Sequence, residues 1–238
     1  MTGIRTRAES LAVGVLLVTV GGFLDAYTFV GHRVFANAQT GNVVLFGIDT
    51  ASQHWHEAVL RLIPVAAFVV GVLAAETLGR PRGRRRIRRP VRVVLGAEIV
   101  ILAAVASVPD GTGDLLITVP VAFAAAIQWS TFRVLVDTPY TTLLATGNLR
   151  IMAISAYQWI ADRDLSARRR ARQFAAVVGA FVVGAVIGGL CTNHFGTPAV
   201  AVASGLLLIV LAIFIRETHQ LEHRAADVLV NRDAEEPA

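Results

Sequence analysis

The sequence predicts an all-α polytopic membrane protein: six transmembrane helices arranged as 3+3 inverted repeats, with two interrupted or re-entrant Thr-Gly-Asn segments. Three observations carry this expectation. The 238 residues are 55% hydrophobic and 16% charged, with a mean hydropathy of +0.60, whereas a soluble domain of this length needs a more charged surface to stay dispersed. The arginines gather in two loops between apolar runs. Two short strings also recur, in the same order, about half a chain apart.

A spanning helix takes about 20 mostly apolar residues. Runs at 11–30, 58–78, 91–108, 115–136, 174–191 and 198–215 approach or meet that need. The first follows Arg5 and Arg7 as in a signal peptide, but no small-residue cleavage site with a soluble domain comes after it, so it is expected to remain as the first span. Two further apolar stretches are broken by polar residues. Residues 34–48 contain Asn37, Gln39, Thr40, Gly41 and Asn42; residues 140–160 contain Thr141, Thr142, Thr146, Gly147, Asn148 and Arg150. At 1.5 Å per residue the former is about 22 Å long, short for an independent span. One membrane domain over 1–216 is expected, with repeat 1 at about 9–109, repeat 2 at about 114–216, and a polar cytoplasmic tail at 217–238.

Charge decides whether the broken stretches cross. If both return to the side they entered from, the N-terminus, the loops Arg80–Arg92 and Arg163–Arg172 and the tail share one face. The opposite face then receives 49–57, 109–113 and 192–197, which hold no Arg, and Arg33 is the exception. Two full crossings would put the Arg loops on opposite sides. The positive-inside rule selects the first arrangement: multi-pass in the cell (inner) membrane, both termini cytoplasmic. Those loops would meet anionic lipid headgroups. The same distribution argues against nucleic acid as partner despite a net charge of +5 and a pI near 10.5. Cys191 is the only cysteine, and no Cys/His cluster has ligand spacing, so neither a metal nor a cofactor is expected. His54 and His56, two residues apart, do not share a helical face.

The repeat supplies the inversion. Val65-Ala-Ala-Phe-Val-Val-Gly-Val-Leu73 matches Val178-Gly-Ala-Phe-Val-Val-Gly-Ala-Val186, and Ala38-Gln-Thr-Gly-Asn-Val43 matches Leu144-Ala-Thr-Gly-Asn-Leu149, at offsets of 113 and 106 residues. Three spans per half is an odd number, so the second half enters the membrane upside down. Inverted-repeat transporters place their sites near the midplane, where interrupted helices meet, and Gly between Thr and Asn suits such a break. The same residues also serve as interhelical glue, with Gly71, Gly184, Gly188 and Gly189 allowing close packing. Both readings stand at this level.

The candidate substrate or ion site is Asp25, Asn37, Thr40, Gly41, Asn42, Gln128, Thr142, Thr146, Gly147 and Asn148, with Glu98 as a secondary position. Asp25 lies about fifteen residues into an apolar run, where a carboxylate is costly and faces a cavity or a partner. Its structural alternatives are capping the interrupted helix or pairing with Arg33. Glu98 has Arg92 near it for a structural pair. Gln128 is placed to bond across the repeat axis to Asn42 or Asn148.

The string Gly22-Phe-Leu-Asp-Ala26, followed by Asn37-Ala-Gln-Thr-Gly-Asn42, resembles the YoaK-like membrane proteins, the domain of unknown function 1275. In that family a second-half Gln-Asn element precedes a T-x-x-x-T-G-[NT] element. Gln128 and Thr142-Leu-Leu-Ala-Thr-Gly-Asn148 fit, but Trp129 stands where Asn is usual. The resemblance covers nearly the whole chain and implies a six-helix membrane protein without an assigned activity.

The function expected is transport or channel conduction of a small solute or ion, with the solute's charge undetermined. The alternative is a non-transporting scaffold or regulatory protein. An enzyme is not expected, because no nucleophile–base pair or ligand set is recognisable; Cys191 with His194 is a poor one. A homo-oligomer is left open.

Overall fold

The structure is a computed structural model that describes residues 11–80, 90–132, 134–135, 138–139 and 145–216. Most of the Arg80–Arg92 loop, Thr142 and the 217–238 tail lie outside the described residues. The fold is helical: α1 Leu11–His32, α2 Gln39–Ala51, α3 Trp55–Gly79, α4 Pro90–Ala106, α5 Leu115–Thr131, α6 Ala145–Asp162, α7 Leu165–Phe195 and α8 Thr197–Arg216. A two-rung antiparallel pair, Val134–Leu135 with Thr138–Pro139, follows α5.

Four of these helices, α1, α3, α7 and α8, are long and apolar enough to cross a membrane. The 17-residue α4 and α5 measure about 25 Å each. The run expected to extend from 115 to 136 ends as helix at Thr131, where Phe132 leaves helical angles (ψ 87°). The extended pair beyond it includes Thr138, held extended by the following Pro139. In the other direction, α7 starts at Leu165 rather than near 174. Asp164 caps it by accepting from the Ser166 N–H at 2.8 Å, and Arg-rich turns propagate helix well whatever their hydropathy.

α1 is the central helix. Of its 18-residue apolar window 67% is buried, against 17% for α3 and 22% for α7. It packs on α7, while α3 packs on α5, α2 on α3, and α6 on α7. The α1–α7 contact is made backbone to backbone. A Cβ on Gly184 would strike the Thr19 carbonyl, one on Gly188 would lie 2.5 Å from the Phe23 oxygen, and one on Gly22 would strike the Phe181 carbonyl. In the α3–α5 contact, a Cβ on Gly71 would lie 2.7 Å from both the Phe123 oxygen and the Ala126 Cβ. The repeat-matched Gly71 and Gly184 thus each press on the opening helix of the other half.

The main apolar cluster joins α1 (Leu17, Val20, Leu24) to α4 (Leu95, Leu102), α5 (Ile117, Val121) and α8 (Leu207, Val210). A smaller one sets Val18 against Phe174 and Val177 of α7, with Ile151 and Met152 of α6 beside them. Threonines inside α1 satisfy their hydroxyls on the preceding turn, Thr19 on Val15 O and Thr28 on Leu24 O, both at 2.9 Å. Buried hydroxyls need such partners where water is excluded.

The short helix α2 enters and leaves by one end of α1. The chain leaves α1 through Arg33, whose left-handed φ of 58° and N–H bond to Phe29 O form a C-terminal cap. It then doubles back to start α2 beside Asp25, and α2 returns over about 20 Å to the level of Arg33. There Arg61 of α3 bonds Asp49 at 2.8 Å and the Arg33 carbonyl. At the opposite end of α1, α6 and the start of α7 make the corresponding hairpin. Arg168 of α7 stacks 5.2 Å over the Trp159 ring, and Leu11 shares a groove with Arg168, Arg169 and Arg172.

Candidate functional site

Asp25 is 5% exposed, two turns before the end of α1. Its Oδ1 accepts from the backbone N–H of Asn37 at 2.7 Å and of Ala38 at 3.3 Å. Those are the peptide groups just ahead of Gln39, the first residue of α2. Helix N-termini leave N–H groups unsatisfied and carry a partial positive charge, so a carboxylate from the neighbouring helix meets both needs. Asp25 therefore caps the interrupted helix. It does not pair with Arg33, whose guanidinium lies 6.0 Å over the Phe29 ring.

Asn42 is fully buried and spends its side chain on the connection. Oδ1 accepts from Phe35 N, and Nδ2 donates to Phe35 O and Gln39 Oε1, all at 2.8 Å. Gly41 lies flat on the Phe35 ring, where a Cβ would come within 2.8 Å of the ring carbon. These two residues build the turn, and Thr40 points outward.

Asn37 and Gln128 do converge. Asn37 Nδ2 donates to Gly21 O at 2.9 Å, and Gln128 Nε2 to Leu17 O at 3.3 Å. Gln128 thus bonds α1 backbone, not Asn42 or Asn148. Residues 17, 21 and 25 are spaced one helical turn apart, about 5–6 Å. Asp25, Asn37 and Gln128 accordingly line one face of α1 over two turns. Both amides turn their donors to the helix, which leaves Asn37 Oδ1 and Gln128 Oε1 buried without a hydrogen-bond partner.

Glu98 adds a third set of open acceptors. It is 2% exposed on α4, and neither carboxylate oxygen has a partner. The expected pair with Arg92 does not form, because the guanidinium, a turn and a half away, leaves its own Nε and Nη2 unpaired. Leu95 and Leu102, one turn either side of Glu98, lie in the same apolar cluster as Leu17, Val20 and Leu24.

The second Thr-Gly-Asn segment is elsewhere. Thr146 and Gly147 are exposed at the start of α6, and Asn148 is 1% exposed. α6 lies along α7, with Ile151 and Met152 beside Val18 of α1, while the described bonds of Asp25 and Asn37 go to the α1–α2 connection and α1 itself.

Polar contacts with no motif behind them close the far end of α1. Tyr27 donates to the Thr197 carbonyl at 3.1 Å, and Thr197 N donates to Asp110 Oδ1 at 2.8 Å. The Thr197 backbone and side-chain hydrogen bonds hold the Asp110 carboxyl below its ordinary value of 3.8. His32 bonds Asp114 at 2.8 Å beside a cavity of about 200 Å3 that Glu57, Arg61 and Thr118 help to line. Only the Asp49–Arg61 pair, facing across a short turn, left a trace in the sequence: opposite charges twelve residues apart.

No curated protein and no solved structure matches the chain. A family model nonetheless matches residues 13–213, and the chain belongs to the family described as protein of unknown function (DUF1275).

Proposed function

We propose that the chain is an inner-membrane transporter or channel for a small solute or ion, with six spans in two inverted halves and both termini cytoplasmic. The observation that carries this reading is the polar face of α1, where Asp25, Asn37 and Gln128 meet beside the start of an interrupted helix. Irregular backbone and uncompensated polar atoms inside an apolar bundle are costly, and interrupted helices in inverted repeats hold transported solutes. The inversion draws support from the reciprocal contacts of Gly71 and Gly184 and from the hairpins α2–α3 and α6–α7 at opposite ends of α1. The groove of Leu11, Leu165, Arg168, Arg169, Arg172 and Gln173 suits an anionic lipid headgroup with its chain against the leucines.

The test is flux of a panel of radiolabelled cations, anions and polyols into proteoliposomes. Flux of at least one solute is expected, falling at least tenfold in Gln128→Leu while the protein remains folded. Absence of flux for the whole panel, with folded protein, overturns the reading. The second reading, a non-transporting scaffold or homo-oligomer, draws on Thr40, Thr146 and Gly147, which face outward as small and hydroxyl residues do at helix-association surfaces.

A further inference from the structure

We infer that the polar face of α1 binds a small cation, a monovalent metal ion or a protonated amine, with Glu98 supplying the countercharge. This rests on the site proposed above and names its ligand class.

A helix N-terminus by itself favours an anion. Here that end is already taken: the Asn37 and Ala38 N–H groups are bonded to the Asp25 carboxylate. What remains open is of one kind. Asn37 Oδ1, Gln128 Oε1 and both Glu98 oxygens are buried acceptors without donors. The amide orientations are set by the bonds their nitrogens make to Gly21 O and Leu17 O, which no flipped amide can donate to. Buried polar atoms are almost always paired, so four open acceptors in one bundle ask for donors or positive charge. Of the buried groups left open among the described residues, the two arginines, Arg92 and Arg168, belong to the Arg-bearing first turns of α4 and α7. The α1–α2 connection, α4 and α5 offer acceptors, with Ser130 Oγ as the one hydroxyl among the described residues.

A carboxylate inside a bundle persists when a cation or a proton matches it. Asp25 has its match in the α2 N-terminus and Glu98 has none, so Glu98 is the residue that binds charge. Two amide oxygens and one carboxylate are a donor set that suits hard monovalent ions and ammonium groups.

Binding is read from thermal unfolding of the full chain in lipid nanodiscs, because a ligand bound only by the folded state raises Tm with its concentration. Sodium, rubidium and methylammonium chlorides are compared with N-methylglucamine chloride, whose cation is too bulky for the bundle interior. A concentration-dependent rise is expected for at least one small cation and none for N-methylglucamine. The rise should disappear in Glu98→Gln, which keeps the shape and folds with an unchanged or higher Tm, and persist in Glu76→Gln. Equal behaviour of all four salts, or the same rise in Glu98→Gln, overturns the inference. Cation binding without flux of any solute overturns the transport reading and keeps the site; flux of an anion or polyol without cation binding does the reverse.

Discussion

The two Thr-Gly-Asn segments match in sequence and in place, yet they are held differently. Asn42 and Asn148 are both buried at the start of a helix that leans on the following long helix. Among the described residues, the first segment is the one whose N-terminus is capped from the preceding helix. The contacts of Gly184 with Thr19 and of Gly71 with Phe123 put Thr19 and Phe123 in register, and six residues further on stand Asp25 in one half and Trp129 in the other. Trp129 is the position where the resembling family usually has Asn. Its ring packs on Phe68 at 5.9 Å. At the matched position the first half of the sequence thus has a polar cap and the second half an apolar ring contact.

The packing is the part that breaks most sharply. Gly184→Leu drives a side chain into the Thr19 backbone and should abolish folded, monodisperse protein on size exclusion, a loss above about 3 kcal/mol. Gly71→Ala should be milder, since one of its two nearest atoms is a side chain, and Gly179→Ala, with nothing within 4 Å, should be silent. Equal tolerance at Gly184 and Gly179 would refute the close approach. Next in size, Asp25→Ala uncovers two N–H groups inside the bundle and should cost about 1–3 kcal/mol in thermal unfolding, with Asp25→Asn recovering most of it through its remaining acceptor. Trp129→Asn tests the other half: lost ring area should lower stability by about 2 kcal/mol. A rise instead would mean that the second half still accepts a cap.

The smallest effect is at the edge. The Asp110 pKa is lower in the folded state than in the unfolded chain, so its contribution is present above the ordinary carboxylate value and fades as pH falls through the folded one. The Tm difference between wild type and Asp110→Asn should therefore shrink on acidification below about pH 4. A difference that stays constant or grows would show that Thr197 does not depend on the ionised form.

The apolar runs were legible because a bilayer demands length and hydropathy, and those are local properties. Their ends were not. Phe132, Val134 and Leu135 are as apolar as the helix before them, and only the backbone shows the break; the Arg-rich turns of α7 are helix to which hydropathy is blind. The polar residues of the candidate site were legible as types and not as partners. Asp25 could be read as costly, but that it caps α2 depends on the reversal at Arg33, which rests on a left-handed angle at a residue with no special claim to it. Gln128 and Asn37 are 91 positions apart, and only the shared face of α1 brings them one turn from each other.

The glycine contacts also divide the molecule in a way the chain order does not. With three backbone-to-backbone contacts, α1 and α7 are welded into one rigid pair, and α3 with α5 forms the other. Each pair borrows one helix from each half. The close backbone contacts thus pair helices across the midpoint of the sequence rather than within each half of it. The cap at Asp25 ties the α1–α7 pair to the segment that leads into α2, which packs on α3 of the other pair.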